Sequence, residues 1–128
     1  MSDAEPHLLV VDDDARLREL LRRYLSDNGL RVTLAADARE ARASLASFAF
    51  DLIVLDVMMP QTSGYEVCQA IRSRPDWRHI KVVMLSAKGR DAEVNKGMAM
   101  GADLYVTKPF STRDLMAKIE ALLAGGAG

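Results

Sequence analysis

The sequence predicts an α/β fold, a doubly wound parallel sheet of five strands with five helices shared between its two faces. Three observations predict it. Short apolar runs, such as Leu8–Val11, Leu52–Leu55 and Val82–Leu85, have the length and composition of strands buried on both sides. Between them lie stretches whose apolar residues recur at helical spacing. Strand and helix alternate along the whole chain, which argues for right-handed crossovers and a parallel sheet.

The elements follow in order. His7–Val11 is the first strand, and it runs into Asp12-Asp13-Asp14. Leu17, Leu20, Leu21, Tyr24 and Leu25 share one face of the first helix, with arginines and Glu19 between them. Asp14 suits the acidic start of that helix, and Gly29, after Asn28, suits its end. Arg31–Ala35 is the second strand. Asp37 caps a second helix through about Ser47, with Ala38, Ala41, Leu45 and Phe48 as its inner face. Leu52–Asp56 is the third strand. Ser63 and Glu66 have capping-box spacing before a third helix carrying Val67, Ala70 and Ile71. A loop, Pro75 to His79, holds the only Trp. Lys81–Ser86 is the fourth strand. Asp91 to Met100 is a weaker helix, with Gly97 inside it and Gly101 ending it. Leu104–Thr107 is the fifth strand, Lys108-Pro109-Phe110 a turn, and Ser111 the cap of a last helix facing inward through Leu115, Ile119 and Leu122.

Composition bounds what such a fold can do. The 128 residues suit one domain with one core, about 7–123, followed by a flexible Gly/Ala tail, 124–128. A net charge of -1 offers no basic footprint for direct nucleic-acid binding. The sole cysteine, Cys68, excludes an internal disulfide and reads as a packing residue. No run is long enough to span a membrane and the start has no signal-peptide core, so a cytoplasmic location is expected.

The chemistry lies where the strands end. The first delivers Asp12 and Asp13, the third Asp56, the fourth Ser86, and the fifth Thr107 and Lys108. If strands one and three are neighbours, three carboxylates meet at one sheet edge, where open α/β folds keep their sites. Crowded like charges repel. A hard divalent cation relieves them, and oxygen-only ligands favour Mg²⁺ or Mn²⁺ over zinc. With the Lys108 ammonium and Ser86 hydroxyl alongside, the set suits phosphoryl transfer, and a carboxylate is an accepted nucleophile for forming an aspartyl-phosphate. Neither histidine joins the set: His7 precedes the first strand and His79 lies in a loop. Arg22-Arg23 and the Arg72/Arg74 pair read as solvated helix faces.

Four blocks stand in order: Val10-Val11-Asp12-Asp13; Leu55-Asp56-Val57-Met58-Met59-Pro60 with Gly64; Ser86-Ala87; and Gly101-Ala102-Asp103 running to Lys108-Pro109-Phe110. With them the chain resembles the receiver domains of bacterial two-component response regulators, the chemotaxis regulator included, from about His7 to Leu123. The resemblance implies a flavodoxin-like strand order, 2-1-3-4-5, for which that regulator is a stock example. It implies that Asp56 accepts a phosphoryl group from a sensor histidine kinase or a histidine phosphotransfer protein. It further implies Mg²⁺ (or Mn²⁺) held by Asp13 and Asp56 directly, by Asp12 through water, and by the backbone carbonyl of Met58. Lys108 would pair with the phosphoryl oxygens, Ser86 would bond to them on activation, and Tyr105 would change rotamer with it. A cis Lys108–Pro109 peptide and a path for attacking water between Met58 and Lys88 are also implied.

The leading expectation is a phosphorylation-dependent signalling switch that catalyses its own phosphorylation and dephosphorylation. Its output would be a changed surface on the fourth helix, fifth strand and fifth helix that docks a downstream protein. Two alternatives stand beside it. A metal-dependent phosphohydrolase would usually carry an acid two residues beyond the nucleophile, where this chain has Met58. A pseudo-receiver would not need the full set Asp12, Asp13, Asp56, Ser86 and Lys108. Leu104 and Glu120 depart from the charged pattern by which many DNA-binding relatives pair, so a monomer or weak dimer is expected.

Overall fold

The computed structural model describes residues 5–59, 63–87 and 89–125. Pro60 and Lys88, both named above, and most of the expected tail lie outside them. Ten elements alternate without exception: β1 (His7–Val11), α1 (Ala15–Asp27), β2 (Arg31–Ala35), α2 (Ala38–Ser47), β3 (Leu52–Asp56), α3 (Gly64–Ser73), β4 (Lys81–Ser86), α4 (Asp91–Ala99), β5 (Leu104–Thr107) and α5 (Thr112–Leu123). The strands form one parallel sheet in the order β2-β1-β3-β4-β5.

Strand alternation divides the core into two layers. Leu9, Val11, Ile53, Leu55, Val82 and Met84 face α2 and α3, where they meet Ala41, Leu45, Val67 and Ile71. Leu8, Val10, Leu52, Val54, Val83 and Leu85 face the other way, onto Leu21 and Leu25 of α1 and Leu115 and Ile119 of α5. Both layers are closed to water, which is why the central strands read as unbroken apolar runs rather than alternating ones.

Three helix starts are fixed by their caps. Asp14 accepts from the amides of Arg16 (2.9 Å) and Leu17 (3.3 Å), Asp37 from Glu40 (2.8 Å), and Ser111 from Asp114 (3.2 Å). Ser63 departs from expectation. Its side chain makes no capping bond to α3, and the Glu66 amide goes to its backbone carbonyl instead (3.1 Å). Gly29 and Gly101 sit at φ +88° and +109°, in the left-handed region that favours glycine at a helix end.

Two residues assigned to inner faces are on the surface. Leu20 is 50% exposed, because α1 buries only the narrower stripe of Leu21 and Leu25. Phe48 is 55% exposed, because the chain leaves α2 there in extended conformation, and Phe50 takes the core position instead. Arg72 is not a solvated residue either. Its guanidinium donates to the carbonyls of Gly101 (2.9 Å), Arg78 (2.8 Å) and Ile80 (2.8 Å) and to Asp103 Oδ2 (2.8 Å). Gly97, which propensity alone marks as a weak point of α4, faces the Tyr105 ring so closely that an added Cβ would overlap it.

Candidate functional site

Register decides what meets at the carboxyl edge of the sheet. β1 lies between β2 and β3, so the residue after β1 and the last residue of β3 are neighbours. Asp12 is held there by its amide, which donates to Ala35 O (3.2 Å). Asp56 is the last residue of β3, opposite Leu85. Beyond it, the Gly64 amide donates to Val57 O (2.9 Å). A Cβ on Gly64 would overlap the Asp56 carbonyl oxygen, so glycine is what lets α3 start this close to the aspartate.

Three carboxylates converge as the sequence predicts. One oxygen from each of Asp12, Asp13 and Asp56 falls within 4.8 Å of the others. Asp12 and Asp56 are buried and Asp13 is exposed. The donor set at this edge is all oxygen. His7, at the start of β1, shares a hydrogen bond with Thr33 Oγ1 (2.6 Å), and the Cys68 thiol donates to Met100 O (3.4 Å). Crowded hard oxygens fit Mg²⁺ or Mn²⁺ better than a thiophilic metal.

Lys108 closes the site from the far side of the sheet. Its Nζ lies 3.1 Å from Asp12 Oδ2 and 3.7 Å from Asp56 Oδ1. Its amide donates to Ser86 O (2.7 Å), and a cis peptide joins it to Pro109. Burial works against the ammonium, but the bond to Asp12 and the charges of Asp12, Asp56 and Asp13 outweigh it and raise the Lys108 pKa. Asp56 moves upward too, from 3.8 to about 6. Burial is the main cause, followed by the charge of Asp12. Lys108 and the Met58 amide, which donates to Asp56 Oδ1 (3.1 Å), pull the other way. At neutral pH Asp56 is therefore mostly ionised and poorly solvated, the condition of an activated nucleophile.

Ser86 and Tyr105 lie beside this centre. Ser86 ends β4, fully buried, in register with Thr107. Together with Met58, Tyr65, Glu93, Lys96 and the half-buried Tyr105 it lines a cavity of about 390 Å³ that opens between α3 and α4. Lys96 Nζ sits 4.5 Å from the centre of the Tyr65 ring. Burial, then the charge and hydrogen bond of Tyr105, raise the Tyr65 phenol. Sequence reading does not single out Tyr65, because a tyrosine at a helix start carries no distinctive pattern. It also passes over Arg18, whose Nη1 donates to the Asp12 carbonyl (2.7 Å). One signal for Arg18 exists: α1 has no acid in its first turn and carries two arginines there, against the helix dipole.

Comparison with known proteins shows the family to which this fold belongs. The family model for the response regulator receiver domain matches residues 8–120. The chain is 47% identical over 116 residues to the response regulator MprA of Mycolicibacterium vanbaalenii, covering 91% of this chain and 49% of that protein. It is 42% identical over 118 residues to the phosphate regulon transcriptional regulatory protein PhoB of Rhizobium meliloti, covering 92% and 52% respectively. The chain thus spans about half the length of these curated relatives. Among solved structures, the chemotaxis protein CheY4 of Vibrio cholerae superposes with a TM-score of 0.87 at 32% identity, covering 91% of this chain and 98% of that one.

Proposed function

The chain belongs to the response regulator receiver domain family, and on that premise we propose that Asp56 is its phosphoacceptor and Asp12, Asp13 and Asp56 its metal-binding set. Receiver domains take phosphoryl groups from histidine kinases and work as phosphoryl-accepting signalling switches. The observation that carries the assignment is the convergence of the three carboxylates with Lys108 Nζ within 3.7 Å of Asp56.

An Asp56 oxygen attacks the phosphorus of the donor. A new P–O bond forms as the donor's P–N or P–O bond breaks, and the leaving group departs with the electron pair and takes a proton from solvent. Receiver domains generally bind Mg²⁺ at an acidic pocket, and here Asp13 and Asp56 would hold it, with Asp12 through water and the Met58 carbonyl completing the protein ligands. When bound, the cation neutralises charge on the phosphoryl oxygens. Lys108 neutralises the same charge from the other side and holds it in place. Ser86, at the buried end of β4, donates its hydroxyl to a phosphoryl oxygen, and Tyr105 follows across the shared cavity. The output is the altered α4–β5–α5 surface, which docks a partner protein rather than nucleic acid. Residues from about 7 to 123 form this receiver unit, acting in the cytoplasm beside its kinase. Among the described residues, no helix is long and apolar enough to cross a membrane. Met58, 52% exposed beside Asp56, suits the expected role of flanking the path of attacking water; Lys88, the other residue expected there, lies outside the described residues.

Incubation with acetyl phosphate tests the assignment. Intact-mass spectrometry should show one added phosphoryl group with Mg²⁺ or Mn²⁺, none in EDTA, and none in Asp56→Asn. Equal phosphorylation of Asp56→Asn would place the acceptor elsewhere.

A further inference from the structure

Asp13 is the least constrained member of the site. It is exposed, and its carboxylate makes no hydrogen bond among the described residues. Asp12, in contrast, is held at every polar atom. Its amide is bound by Ala35 O, Oδ1 accepts from the Asp14 amide (2.9 Å), and Oδ2 accepts from Lys108 Nζ (3.1 Å). The last of its groups, the carbonyl, accepts from Arg18 Nη1 at 2.7 Å. That carbonyl belongs to the peptide linking Asp12 to Asp13. Whatever fixes its plane fixes where the Asp13 Cα sits, and so the point from which the Asp13 side chain leaves the chain.

We propose that Arg18 is a positioning residue for the divalent cation, fixing the Asp12–Asp13 peptide so that Asp13 is presented to the metal before the metal arrives. This rests on the metal-binding reading of the three carboxylates. Arg18 reaches back from the first turn of α1 across six residues to do this, a place where the helix dipole disfavours a cation. A charge effect alone predicts the opposite outcome, since a guanidinium near the site would repel Mg²⁺. The geometry favours positioning: among the described residues, the Arg18 guanidinium is bonded to the backbone carbonyl of Asp12 and not to a carboxylate of the site. Groups that orient metal ligands commonly change affinity by about 10- to 100-fold when removed.

The test is Mn²⁺ binding to the full chain, followed by electron paramagnetic resonance, in wild type, Arg18→Met, Arg18→Lys and Arg23→Met. Arg23 is exposed on the same helix and serves as the control. Arg18→Met should raise the Mn²⁺ dissociation constant about 10-fold, Arg18→Lys should recover part of the loss, and Arg23→Met should match wild type. A second readout separates positioning from general damage. The Mg²⁺ concentration giving half-maximal phosphorylation by acetyl phosphate should rise by a similar factor in Arg18→Met, while the rate at saturating Mg²⁺ stays near wild type. Should Arg18→Met fold poorly by circular dichroism, Arg18→Lys and Arg18→Gln carry the same comparison. Wild-type or tighter Mn²⁺ binding in the folded Arg18 variants overturns the proposal while leaving the site assignment standing. Failure of the wild-type protein itself to bind Mn²⁺ overturns the metal-binding reading, and the proposal with it.

Discussion

An aspartate at the end of a strand buried on both faces has little water to solvate its charge. Asp56 is 3% exposed and its pKa rises from 3.8 to about 6, chiefly by burial and then by the charge of Asp12. The folded state therefore binds a proton more readily than the unfolded chain between about pH 4 and 6. The contribution of Asp56 to stability is fully present below that window and is lost as pH rises through it. Above about pH 6 the folded protein carries a constant ionisation penalty on the order of 3 kcal/mol before any cation binds. Asp56→Asn removes that penalty. In EDTA at pH 7.5 it should raise the thermal midpoint by several degrees, with the gain shrinking as pH falls from 6 towards 4. Adding Mg²⁺ should narrow the difference by stabilising the wild type. Thermal melts showing no gain at pH 7.5 would mean that Lys108 and the Met58 amide already compensate the charge in full.

At the scale of elements, Arg72 carries more than its position on a helix suggests. From α3 it joins the chain around Gly101, the loop before β4 and Asp103, whose Oδ2 also accepts from the Val82 amide (2.8 Å). Arg72→Ala leaves several carbonyls and a carboxylate short of donors, and chemical denaturation should show a loss of roughly 2–3 kcal/mol. Arg72→Lys should restore little, because an ammonium cannot spread its donors in a planar fork. This clamp was not legible in the sequence, where Arg72 and Arg74 look alike, since only tertiary distance separates them. The same holds for Leu20 and Phe48, which satisfy helical spacing but lie beyond the stripe that the sheet covers. What was legible rests on stronger local physics. Buried strands need continuous apolar runs, helix ends need Asp14, Asp37, Ser111, Gly29 and Gly101, and acids at strand exits can only gather at one edge of a parallel sheet. Gly64 shows the limit: it is visible as part of a motif, but the need for a glycine there comes from its closeness to the Asp56 carbonyl.

For the whole molecule, the strand order places β1, β3 and β4 inside the sheet and leaves β5, four residues long, with a neighbour on one side only. The helix packed beside it, α4, buries Gly97 and no other of its residues. Opening free energy is therefore unevenly distributed. Amides of β1 and β3 can exchange with solvent only when both flanking ladders and both core layers come apart, whereas α4 and β5 can open while the rest stays folded. Hydrogen exchange followed by mass spectrometry should find β1 and β3 protected longest and α4 exchanging first among the helices. Adding Mg²⁺ with the phosphoryl analogue beryllofluoride should slow exchange most in α4 and β5. Slowing confined to α1 and α2 would locate the responsive region elsewhere. An edge strand beside a thinly anchored helix thus lets the molecule hold a rigid, slowly exchanging centre at Asp56 and, two strands away, a border loose enough to register what happens there.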